Sequence, residues 1–111
     1  MKIGALVFGL GLLVILVALV AYWALVIHKY NSGLAVVEPG NSEARVIALL
    51  GSPSYTEPAG HPYLRYTGAP CAAPCVRRLW WEWPIFPGIE AWSVELGSNN
   101  QVLKTYHWVS P

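Results

Sequence analysis

The sequence predicts an α+β protein: an apolar N-terminal helix, then a small domain with a short helix packed on a three- to four-stranded antiparallel sheet. Three observations carry that prediction. Apolar residues are unevenly placed, 24 of the first 30 against 37 of the remaining 81, so the later part has the apolar share of an ordinary globular chain. One capped amphipathic helix pattern opens that later part. Only β-rich runs separated by turn signals follow it, an order that describes a helix laid on a sheet rather than alternating βαβ units. Charged residues make up 12% of the 111, against roughly 25% in an average soluble domain. Together these figures exclude a wholly soluble protein, a multi-domain protein and a disordered one.

The first element is the run Ile3 to Ile27, in which every residue is Ala, Val, Ile, Leu, Gly, Phe, Tyr or Trp. As a helix it spans about 37 Å, against roughly 30 Å of bilayer hydrocarbon. A cleaved signal peptide has a shorter apolar region and an A-x-A-like site. Here Ala18, Ala21 and Ala24 are spaced by three, and no Cys near the end of the run offers a lipidation site. A retained signal anchor over residues 1–30 is therefore expected, with the bilayer as its partner. Tyr22, Trp23 and Tyr30, with His28 and Lys29, mark an interfacial belt. Lys2 and the amino terminus nearly balance Lys29 and Arg45, so charge leaves the orientation undecided. Gly4, Gly11 and Ala18 recur every seven residues, and Ala5 with Gly9 adds a small-xxx-small pair. Such a stripe either admits a partner helix closely or reflects the ordinary abundance of Gly and Ala in membrane helices.

Residues 31–40 read as a linker carrying the apolar run Leu34 to Val37 and ending in Pro39-Gly40. The domain is placed at 41–111. Asn41 or Ser42 caps its helix, Glu43 sits in the first turn where the dipole favours an anion, and Gly51 closes it with Pro53 following. Val46, Leu49 and Leu50 share the buried face. Strands are expected at Tyr63 to Thr67, Val76 to Trp83 and Trp92 to Leu96. The last enters Gly97-Ser98-Asn99-Asn100, and Gln101 to Val109 returns as its hairpin partner.

Beyond residue 30 there are five Lys and Arg against six Glu and no Asp. That balance gives no basic patch for nucleic acid. No nucleophile motif with a base and no Gly-rich phosphate loop is found, so neither catalysis nor a cofactor is expected. Cys71 and Cys75, the only cysteines, are spaced one residue wider than a redox C-x-x-C. A local disulfide is the preferred assignment if the compartment is oxidising, with free thiols as the alternative. His61 and His107 lack a zinc spacing, and no metal is expected. In Leu79-Trp80-Trp81-Glu82-Trp83 a strand turns Leu79, Trp81 and Trp83 one way and Arg78, Trp80 and Glu82 the other. Arg78, Trp80 and Glu82 are candidates for an exposed partner-binding face. The alternative is that Trp80 packs under the long Pro-rich loop.

The stretch Gly40-Asn41-Ser42 through Val46 to Leu50-Gly51-Ser52-Pro53, with the later hairpin Trp92 to Leu96 and Asn99 to Leu103, resembles the SmpA/OmlA (BamE-like) family of envelope lipoproteins. The resemblance covers most of the chain after the linker. It implies an envelope interaction module with a helix-on-sheet fold, and favours a domain outside the cytoplasm. The chain departs from the family in lacking a lipidated Cys, in leaving little room for a first helix, and in the stretch Pro58 to Phe86 with its Cys71 to Cys75 loop. Membership of the outer-membrane assembly machine is not carried over, since a retained helix holds the domain at the inner membrane. The expected function is a non-enzymatic assembly or scaffold module. An accessory subunit of a larger inner-membrane complex and an inhibitor or immunity-type domain are the alternatives.

Overall fold

The computed structural model describes residues 2–110. Its first element, α1, runs from Lys2 to Val36 as one uninterrupted helix of 35 residues. Its first twenty residues stand free of the domain, which makes the molecule 65 Å long. The helix is long and apolar enough to cross a membrane.

The expected linker 31–40 is corrected by this helix, which continues through residue 36. The cause is packing. Ile27, Tyr30, Leu34 and Val37 follow one another at steps of three and four and lie along the hydrophobic core. Gly33 is buried, and its missing side chain lets Leu50 approach; a Cβ there would stand 2.9 Å from the Leu50 Cδ2. Asn31 accepts a hydrogen bond from the Trp92 indole at 2.8 Å. Pro39, followed by Gly40 at positive φ, then turns the chain.

The second helix, α2, spans Glu43–Leu50. Ser42 caps it by accepting from the Arg45 backbone N–H at 3.2 Å. Gly51 at φ 81° ends it, donating to the Ile47 carbonyl. Val46 and Leu50 are its buried residues. The α2 segment sits against both the end of α1 and the sheet, which completes an α+β domain as the sequence predicts.

The sheet is an antiparallel meander of β1 (Tyr55–Pro58), β2 (Arg77–Glu82), β3 (Glu90–Leu96) and β4 (Val102–Val109), in that spatial order. The expected β2, β3 and β4 form with ends shifted by a residue or two. The expected strand Tyr63 to Thr67 does not form. That stretch turns on itself, with the Tyr66 N–H bonded to the Tyr63 carbonyl, and its aromatic rings drop onto the sheet instead. The first strand lies earlier, at Tyr55–Pro58. On one sheet face Leu79, Trp81, Trp92, Val94 and Leu96 meet Val46, Leu50 and Val37 to make the core.

Replacing Gly33 with leucine is expected to pry α1 from α2, because the new side chain meets Leu50 and the Leu49 carbonyl with no room to yield. Overpacking of this kind costs about 1–3 kcal/mol. Denaturant unfolding in detergent and limited proteolysis at 37–42 would report it, the free N-terminal part of α1 staying helical by circular dichroism.

Candidate interaction site

Pairing of β1 with β2 and of β2 with β3 sets Glu57 opposite Arg78, Arg78 opposite Glu95, and Trp80 opposite Ser93. Alternation along β2 therefore does place Arg78, Trp80 and Glu82 on one face. That face is not exposed. Trp80 is 0% accessible, Arg78 5% and Glu82 6%. The expected open binding face is thus corrected in favour of the alternative, packing beneath the Pro-rich segment. Residues 59–76 fold over the face as a lid.

The lid is held by two carboxylates. Glu57, fully buried, receives the Trp80 indole N–H at 3.0 Å, the Tyr63 backbone N–H at 3.0 Å and an Arg78 N–H at 3.2 Å, all on Oε1. Glu82 receives the hydroxyls of Tyr63 and Tyr66, each at 2.7 Å, and the Arg65 guanidinium at 2.8 Å. Three aromatic rings close around the indole of Trp80. Tyr66 stacks on it at 5.2 Å, Tyr63 meets it edge-on at 5.4 Å, and Trp108 of β4 leans on it at 5.4 Å; Tyr55 stacks on Tyr63 in turn. Arg78 lies over the same indole, a cation–π contact in a desolvated setting.

This environment shifts the titrating groups. Burial raises the Tyr63 hydroxyl, and its bond to Glu82 adds to the effect, carrying it from 10.0 to about 12. Tyr66 moves the same way for the same first reason, burial, reinforced by Glu82. Burial by itself raises the Glu82 carboxyl, but the bonds from Tyr63, Tyr66 and Arg65 outweigh it and hold the group below its ordinary value. Neutral tyrosines and an ionised Glu82 are therefore the forms that keep the lid closed.

Cys71 and Cys75 form a disulfide within the lid, with Cα atoms 5.7 Å apart and both residues buried. His61 is exposed on the lid, whereas His107 stacks on Trp92 at 5.2 Å and bonds Glu90. Among the described residues no group of three or more His, Cys, Asp or Glu side chains converges. Gly4, Gly11 and Ala18 lie on the free part of α1, exposed, and the structure brings none of them to the domain.

The sheet's edge strands are β1 and β4, of which β4 is the longer. The start of β4 is covered, because the Gly40 N–H donates to the Val102 carbonyl and the Val102 N–H to the Asn41 carbonyl, both at 2.8 Å. From Leu103 to Val109 no strand pairs its outer edge among the described residues. Lys104, Tyr106, His107 and Val109 are exposed along it. A groove runs on each side of the strand. One is formed with the end of α1, between Asn31, Leu34 and Thr105. The other is formed with the lid, between Pro70, Arg78 and Lys104. The sequence pattern had identified the strand but not its edge position. It also missed the Glu57, Tyr63 and Tyr66 clasp, whose members touch partners up to 23 residues away.

Truncating Glu57 to alanine leaves Arg78 buried without its closest carboxylate, and a loss of about 3–5 kcal/mol is expected, measured by denaturant unfolding. Stability also falls at both pH extremes. The contribution of Tyr63 is fully present below pH 10.0 and is lost as pH rises through about 12. That of Glu82 is present above the ordinary carboxyl value of 4.5 and is lost as pH falls through its lowered folded value. Tyrosinate absorbance during an alkaline titration should lag in the folded protein and jump on unfolding. The same titration of Tyr63→Phe should show a smaller lag.

No protein-family model, no curated protein and no solved structure matches this chain.

Proposed function

We propose that the chain is a membrane-anchored, non-enzymatic interaction module of the bacterial cell envelope, its α1 helix crossing the inner membrane and its domain on the periplasmic side. The domain receives an extended segment of another envelope protein along β4. The uncovered edge of β4 carries this reading. An unpaired strand presents backbone donors and acceptors to an incoming strand, and the grooves on either side give alternate side chains a place to seat. Lys104 and exposed Tyr106 supply the polar and aromatic contacts from which such interfaces draw specificity.

Other observations support the remaining parts. The length and apolar character of α1 support anchoring. The Cys71–Cys75 bridge supports an oxidising compartment. The succession of capped helix, Gly51-Ser52-Pro53 and final hairpin is the order found in the SmpA/OmlA family, which supports the envelope assignment.

A photo-crosslinking residue placed at Lys104 or Tyr106 in the full chain, expressed in its own membrane, is expected to give a discrete adduct with a second envelope protein. The same residue at Leu64, exposed on the lid, is expected to give none. Equal adducts at all positions, or none at any, would overturn the reading.

A further inference from the structure

The β2–β3 connection, Trp83-Pro84-Ile85-Phe86-Pro87-Gly88-Ile89, contains no charged residue. It nevertheless exposes Ile85 at 55%, Phe86 at 54% and Ile89 at 43%. These three large apolar side chains are gathered in one short loop. The loop is also held in place: Trp83 donates to Glu90 at 2.9 Å, and the Gly88 N–H donates to the Tyr66 hydroxyl at 2.8 Å.

Its position on α1 identifies what covers it. Phe86 lies 5.3 Å and Trp83 6.0 Å, ring to ring, from Trp23. Trp23 belongs to the apolar run itself, a full helical turn before its end at Ile27. With Lys2 at the far headgroups, a hydrocarbon core of about 30 Å takes up about 20 residues of helix. The boundary then falls near Tyr22 and Trp23. At that level Tyr22, Trp23, Trp83 and Phe86 form a single aromatic band, the arrangement favoured at the membrane–water interface. A soluble protein reaching the loop would have to displace the lipid around Val20 and Leu25, both exposed on the helix.

We infer that the β2–β3 loop is a second membrane contact, with Ile85, Phe86 and Ile89 seated among the headgroups and upper acyl chains beside α1. This rests on the proposed membrane-spanning role of α1. Two contacts on one rigid body fix the domain's posture on the bilayer. The β3–β4 turn at Asn99 is carried to the opposite end of the strand, about 20 Å away.

The test uses the full chain in phosphatidylcholine nanodiscs, with an environment-sensitive fluorophore on single substitutions Ile85→Cys, Ile89→Cys, Asn99→Cys and Val14→Cys. Lipids bearing nitroxides at shallow or deep acyl positions serve as quenchers. Labels at 85 and 89 should emit to the blue of the one at 99 and be quenched several-fold more strongly by shallow nitroxides. The label at 14 should respond most to deep ones. A deep label at 14 with water-like labels at 85 and 89 would overturn the loop contact and leave the anchor standing. A water-like label at 14 would overturn both. A blue shift at 85 seen only with two copies per nanodisc would assign the loop to self-association and overturn the lipid contact.

Discussion

A single helix here carries two kinds of surface, and the domain is built on the second. From Ile3 to Ala21 α1 is apolar on every side, as in a helix long and apolar enough to cross a membrane. From Trp23 onward it becomes one-sided, turning Ile27, Tyr30 and Leu34 to the core and Gly33 to Leu50 of α2, while His28, Lys29 and Ser32 are exposed. An isolated eight-residue α2 is marginal, and a four-stranded sheet with one apolar face needs a cover. The end of α1 provides much of it. No hinge separates the apolar rod from the domain, so any force or tilt on the helix is transmitted to the sheet.

The opposite sheet face solves a different problem. Arg78 and two glutamates are expensive to bury, and each is partly compensated by hydrogen bonds, with Glu57 Oε2 and Arg78 Nε left without a partner. Glu57 joins β1, β2 and the lid; Glu82 joins β2 and the lid through two tyrosines. Since the lid has no regular secondary structure of its own, these bonds, the stacked rings and the Cys71–Cys75 bridge specify its path. With both faces largely occupied, the sheet has its edges left to offer, and β4 is the longer of the two.

In the proposed arrangement these features combine into an oriented edge. The helix sets the domain close to the bilayer, the β2–β3 loop restrains its rotation, and β4 is held at a defined angle to the membrane surface. A partner strand then meets a pre-organised edge, which reduces the entropy lost on association. Rigid coupling between anchor and edge is the property that distinguishes this design from a domain on a flexible tether.

By itself the sequence determined the fold class, the apolar helix, the short capped helix ending at Gly51, and the final hairpin, with the cap left between Asn41 and Ser42. Each of these is written in local periodicity or turn chemistry, which needs no knowledge of distant partners. It also determined which residues of β2 share a face, because strand alternation is local. Tertiary structure decided whether that face is wet: Trp80 is buried because Tyr63, Tyr66 and Trp108, from elsewhere in the chain, close over it. It likewise extended α1 through the expected linker, since the period-three-and-four stripe at 27–37 becomes decisive only when Leu50 and Trp92 are there to receive it. Local signals set which elements form. Contacts distant in sequence determined which surfaces were consumed in holding them together and which remained free to act.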